Sequence, residues 1–126
     1  MSPEAVNYMA IAEAHIDRAE RNFLGEVYED TARNAYTAAL NAARAVIFDK
    51  LAIAPKTHTG TRTKFLELVH DGLAFDAELA GFLASGFETK QGIDYGPDLI
   101  FVSRGDARDY LDRARAFLAA AKAVCD

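Results

Sequence analysis

Apolar residues recur at intervals of three and four along almost the whole chain, the period of helices that bury one side. Ser2, Pro3 and Glu4 form a helix start: a hydroxyl cap, a proline at the first helical position and an acid in the first turn. Tyr8, Ala12, His15, Ala19 and Phe23 then define the apolar side, and Gly25 is expected to end the helix in the left-handed conformation. A second helix is expected over about Glu29 to Ala52, with Ala32, Tyr36, Leu40, Ala43, Ile47 and Leu51 in one stripe. Beside it Ala35, Ala38, Ala42 and Ala45 make a face of small side chains. Such a face lets another helix approach closely, so it suits either a central helix packed on several sides or a homodimer seam.

Pro55 cannot continue the second helix, and 54–60 reads as a polar loop. A short helix is expected from about Thr61 to Asp71, with Phe65, Leu68 and Val69 inward and Gly72 breaking it. Asp76 can cap a fourth helix carrying Leu79, Phe82, Leu83 and Phe87, which weakens near Gly86 and ends before Gly92. Gly92 to Pro97 reads as a turn by composition, and Leu99 to Val102 as an extended linker packed on the bundle. Ser103 and Asp106 have the spacing of a capping box. The last helix follows, with Ala107, Tyr110, Leu111, Ala114, Phe117, Leu118, Ala121, Val124 and Cys125 in a heptad-like seam. The expected fold is therefore all-α: an up-and-down bundle of four main helices and one short one, in a single domain spanning 1–126.

Composition narrows the function without naming it. Fourteen basic residues against nineteen acidic ones give a net charge of −5, which disfavours a general grip on nucleic-acid backbone but not a local basic patch. The single cysteine, Cys125, excludes an internal disulfide framework or a thiolate zinc cluster. As the second-last residue it is expected to be frayed and inert, with a disulfide-linked dimer as the alternative. No apolar run approaches the roughly 20 residues that cross a bilayer, and 1–4 lacks the features of a signal peptide, so no membrane partner and a cytoplasmic protein are expected. The eight glycines are scattered singly and form no phosphate loop. No two histidines stand close enough in sequence for a local metal site, and no metal or cofactor is implied.

The remaining polar chemistry gathers between the second and third helices. His15, on the apolar side of the first helix, reads as a packed, hydrogen-bonded histidine, and His70 as a helix-terminal cation. His58 differs, because Thr57 and Thr59 flank it in a polar loop. It either ties that loop together or touches a ligand. The segment from Lys56 through Arg62 to Lys64 is the densest basic stretch, where phosphate could settle near a helix N-terminus.

Three motifs in this order resemble those of the HEPN domain family, and specifically its small stand-alone prokaryotic members. They are the alanine-rich segment around Ala35-Tyr36-Thr37-Ala38 and Ala42-Ala43-Arg44-Ala45, the loop Pro55-Lys56-Thr57-His58-Thr59-Gly60, and Lys90 followed by Asp94-Tyr95-Gly96. The similarity runs from about Glu29 to Phe117, with the Lys-Thr-His loop its most specific part. It implies a bundle like that of nucleotidyltransferase substrate-binding domains. It also implies a homodimer or hetero-oligomer, often paired with a minimal nucleotidyltransferase in toxin–antitoxin or defence systems. Many members are metal-independent RNases that carry an arginine, four to six intervening residues and then a histidine: the arginine grips phosphate and the histidine moves a proton.

No arginine here precedes a histidine at that spacing; Arg62 and His70 have seven residues between them. The corresponding position offers Lys90 and, four intervening residues on, Tyr95. Lysine can still hold phosphate, but an ordinary tyrosine is a poor base at neutral pH. The expectation is a non-catalytic, dimeric HEPN protein that binds a nucleotide, RNA or a partner nucleotidyltransferase. Its candidate contacts are Lys56, Thr57, His58, Thr59, Arg62, Lys90, Asp94 and Tyr95. The alternatives are an RNase toxin with an altered Lys90/Tyr95 site, and a structural bundle in which His58 and Asp94 hydrogen-bond across the core.

Overall fold

A computed structural model of the chain describes residues 1–96 and 100–126. Among these it contains six helical segments and no strand: α1 (Pro3–Leu24), α2 (Tyr28–Leu51), α3 (His58–His70), α4 (Ala77–Ala80), α5 (Phe82–Tyr95) and α6 (Arg104–Val124). The all-α bundle follows the apolar periodicity.

Helix α2 is the centre, packed against α1, α3, α5 and α6. Ala35, Ala38, Ala42 and Ala45 are completely buried within the chain itself. The small-residue face is therefore intramolecular, and a homodimer seam along it is ruled out by burial. Alanine lets neighbouring helix axes approach without side chains holding them apart. Around α2 the main core joins Met9 and Ile16 of α1, Phe65 of α3, Phe82 and Leu83 of α5, and Phe117 of α6. The Phe65, Phe75 and Phe117 rings meet in a triad with centroids 4.8–5.4 Å apart, fastening α3 to α6 through the 71–76 connection. A smaller core at the opposite end holds Ala19, Phe23, Ala32, Val102, Ala107 and Leu111.

The caps explain the boundaries. Ser2 accepts the Ala5 N–H, and Ser103 with Asp106 forms the complete reciprocal box. Gly25 does end α1, but with φ of −85° it is not the left-handed residue; Glu26, at φ 62°, takes that conformation. Ala52 closes α2 in the same region, at φ 56°. Helix α3 begins three residues earlier than expected, because the Thr57 hydroxyl accepts the Gly60 N–H and draws His58, Thr59 and Gly60 into the first turn. The helix expected from Asp76 is two: α4 is a single turn capped by Asp76, and α5 restarts at Phe82. Helix α5 passes through Gly86 and Gly92 without stopping, so Gly92 to Tyr95 is helical rather than a turn. Ile100 packs against Gly92, where a side chain would meet it at 3.1 Å, and that contact holds the last turn. Pro97 and Leu99 of the expected turn and linker lie outside the described residues. In the remainder of that linker, Ile100, Phe101 and Val102 form neither helix nor strand, with Val102 buried and Phe101 exposed.

Cys125 is not frayed: it packs against the main core, and burial pushes its thiol up to about 11. That leaves little thiolate for disulfide exchange. No helix among the described residues is long and apolar enough to cross a membrane.

Because the alanine face of α2 is completely buried, enlarging one of its alanines must displace a neighbour. Ala42→Leu is expected to lower unfolding free energy by about 1–3 kcal/mol in urea titrations. Unchanged stability would mean the helix has slack the packing does not show.

Candidate functional site

The register of α2 turns Tyr36 inward among alanines, where it is 1% exposed. A buried phenol needs a hydrogen-bond partner. It finds His58 Nδ1, at 2.9 Å, from the first turn of α3. Space for the ring comes from α5: a Cβ built on Gly86 would lie 2.9 Å from Tyr36 Cδ1. The imidazole lies nearly parallel to the Tyr36 ring, at a centroid distance of 5.7 Å, and 5.3 Å from Phe87 of α5. One tyrosine thus joins α2, α3 and α5.

Cations surround this aromatic group. Arg44, two turns along α2 from Tyr36, donates from Nε to Thr61 Oγ1 at 3.3 Å and from a terminal nitrogen to the Lys56 carbonyl at 3.4 Å. Thr61 is buried and donates in turn to the Thr57 carbonyl at 2.8 Å. Arg44 therefore fixes the start of α3 while keeping its charge beside the ring pair. Arg62, one turn after His58, lies 5.9 Å from the Phe87 centroid. Lys90, one turn after Phe87 on α5, donates to Asp94 Oδ2 at 2.7 Å, and Arg33 of α2 donates to Asp94 Oδ1 at the same distance. Arg33 also pairs with Asp30.

These charges set the protonation states. Burial pushes the Tyr36 phenol up to about 12, with Arg44 and Arg62 pulling the other way. Burial, then the positive charges of Arg44 and Lys90, hold His58 below its usual 6.5. At neutral pH the pair is a protonated phenol and a neutral imidazole. The phenol proton needs an acceptor, so Tyr36 donates to Nδ1 and the imidazole proton is left on Nε2. Hydrogen bonds from Lys90 and then Arg33 hold the Asp94 carboxyl below its usual range.

The structure gathers some of the expected residues and separates others. His58, Arg62 and Lys90 converge on the Tyr36–Phe87 group, and Asp94 adjoins it through Lys90. Thr57 is the α3 cap, while Lys56 and Thr59 are exposed at that helix start. Tyr95 stands apart, 77% exposed. Five residues along a helix turn through about 140°, so Lys90 and Tyr95 face different ways, and the Lys90 amine is already paired with Asp94. The expected core bond between His58 and Asp94 is absent, since His58 bonds Tyr36 and Asp94 bonds the two cations. Tyr36, Arg33 and Arg44 are the members that sequence reasoning did not place in the site. Tyr36 and Arg44 lie in the alanine-rich segment that resembles the family, and that was the signal for them; Arg33, just outside it, had none.

Elsewhere, His15 is half-buried rather than in the core, and bonds Asn34, which bonds Asn22. His70 is exposed beside Asp71. One Glu-x-x-His spacing occurs, Glu67 to His70, on the exposed side of α3. No group of three His, Cys, Asp or Glu side chains that could hold a metal is found among the described residues. Two surface hollows, beside Asp76 and Arg113 and beside Met1 and Met9, include none of the seam residues.

The fold and this seam define a small helical bundle with a cationic, aromatic-lined junction on its central helix. The HEPN domain model matches residues 5–124, nearly the whole chain, and the protein belongs to the HEPN domain family. The comparison with curated proteins gives no match.

Two outcomes check this geometry. Gly86→Ala should destabilise the protein by about 1–3 kcal/mol, although the same change in an exposed helix would stabilise it by about 1 kcal/mol, and should shift the His58 imidazole resonances. A stabilised variant with unmoved resonances would contradict the close Tyr36 contact. His58 binds its proton less readily folded than unfolded, so its contribution to stability is complete above pH 6.5 and declines as pH falls below that value. Its NMR titration midpoint should lie below 6.5 and rise in Lys90→Ala. A midpoint above 6.5 would show that the surrounding cations do not act on it.

Proposed function

We propose that this HEPN protein is a non-catalytic binding module that holds the phosphates of a nucleotide or RNA at the seam between α2, α3 and α5. The observation that carries this reading is the convergence of Arg44, Arg62 and Lys90 on the Tyr36–His58–Phe87 group. It is a local concentration of positive charge in a chain of net charge −5. Two guanidinium groups and an ammonium suit phosphate oxygens, and the partly exposed Phe87 and His58 rings offer a surface on which a base can stack.

Binding is favoured over cleavage for two reasons. The arginine–histidine spacing of the family's RNases is missing, and Lys90 and Tyr95 do not converge on a common point. In this reading the protein works as a homodimer and can pair with a nucleotidyltransferase, as the family resemblance implies for a toxin–antitoxin or defence role. Support for a dimer comes from Leu24, Tyr95 and Phe101. These are strongly exposed where α1 and α5 end and α6 is about to begin, well away from the buried alanine face.

The test is fluorescence anisotropy with a labelled single-stranded RNA and a labelled ATP analogue at several salt concentrations. Binding that weakens steeply with salt, and falls at least about tenfold in an Arg62→Ala/Lys90→Ala variant of unchanged fold, is expected. Equal binding by the folded variant would overturn the assignment. Cleavage of total RNA without added metal, lost in Lys90→Ala, would replace it with an enzymatic one.

A further inference from the structure

Asp94 occupies an unfavourable place for an acid. It lies in the last turn of α5, where the helix dipole presents its negative end. It is nevertheless ionised and largely covered, its side chain 19% exposed, because each oxygen takes one cation: Oδ1 from Arg33 and Oδ2 from Lys90, both at 2.7 Å. Arg33 belongs to α2 and Lys90 to α5, so the carboxylate bridges two helices at the edge of the cationic seam. Lys90 stands one turn after Phe87 on α5, and the Phe87 ring lies 5.3 Å from His58, so the cation that Asp94 holds belongs to the seam.

We propose that Asp94 is the residue that sets the affinity and charge selectivity of the seam, its carboxylate standing where a ligand phosphate oxygen would otherwise engage Lys90 and Arg33. The inference rests on the phosphate-binding reading and deepens it by naming the ligand class. A carboxylate and a phosphate compete for the same two donors, and both accept from guanidinium and ammonium in similar geometry. An isolated anion, with no second group held by Arg44 or Arg62, gains too little to displace a tethered carboxylate. A ligand with several linked phosphates can engage Arg44 and Arg62 first, and then compete for Lys90 at high effective concentration. The seam therefore selects polyphosphate or oligonucleotide chains over isolated anions.

Calorimetric titration of the full chain with inorganic tripolyphosphate and with inorganic phosphate, at low ionic strength, tests this. The wild type should bind tripolyphosphate and show no measurable affinity for phosphate. Asp94→Asn should bind tripolyphosphate on the order of tenfold more tightly and gain measurable affinity for phosphate, and Lys90→Ala placed in that background should remove the gain. Glu67→Gln makes the same change in net charge on the exposed side of α3 and should leave affinity within about twofold. An equal gain from Glu67→Gln would reduce the effect to net charge and overturn the proposal.

A folded Asp94→Asn with unchanged or weaker affinity would make Asp94 a strut between α2 and α5, which also overturns the proposal while leaving the binding reading intact. If Asp94→Asn does not fold, Asp94→Ser takes its place, with thermal melting as the check on both. Absence of tripolyphosphate binding by wild type and variant alike, together with absence of RNA binding, would remove the phosphate-binding reading and this proposal with it.

Discussion

The structure depends on one constraint: α2 is packed against four other helices and must be narrow. Its alanines let α1, α5 and α6 close around it, and no larger side chain could repeat at those positions without separating them. Tyr36 is the exception in this alanine-rich stretch. Its ring is accommodated because Gly86 presents no side chain from α5, and its hydroxyl is satisfied because α3 begins at His58. Polar chemistry in the middle of the bundle thus follows from one large amphipathic residue on a helix of small ones.

From that junction the candidate site grows outward. The imidazole that satisfies Tyr36 is stacked on it and on Phe87, and the arginine that stitches down the start of α3 leaves its charge beside both rings. Burial is the main reason His58 binds its proton weakly, and the positive charges of Arg44 and Lys90 add to it; the same charges would attract phosphate. Asp94 offsets part of that charge, which lets three cations stand near one another in the absence of an anionic partner. The overall negative charge of the chain is compatible with this, because screening confines each charge's influence to about 10 Å at 0.1 M salt and local arrangement decides what binds.

Membership of the HEPN family and the departure from its RNase pattern are separate facts. The bundle rests on apolar spacing and small residues, which the chain keeps over 5–124. Cleavage rests on two side chains at one place, and here Lys90 and Tyr95 leave α5 in different directions. The fold and a cleavage site depend on different residues, so membership of the family does not carry the activity with it.

The amino-acid sequence by itself determined the helical class, the small-sided face of the alanine-rich helix, the caps at Ser2, Asp76 and Ser103, and the Lys-Thr-His segment as a dense stretch of polar chemistry. These are local properties: side-chain period, hydroxyl placement and composition act over a few residues. Helix ends were less legible where tertiary contacts outweighed local preference. Arg44 of α2 fastened Thr61 and the Lys56 carbonyl beside the local Thr57 cap, where α3 starts at His58, and Ile100 packed against Gly92, through which α5 runs on to Tyr95. Only the tertiary structure decided that His58 partners Tyr36 rather than Asp94, and that Arg33 and Lys90 share one carboxylate. It alone placed Arg44 at the start of α3 and left Tyr95 exposed at the end of α5. Those pairings join residues up to sixty-one positions apart, and which side chains meet at such separations is set by how helices pack rather than by the order of residues along any one of them.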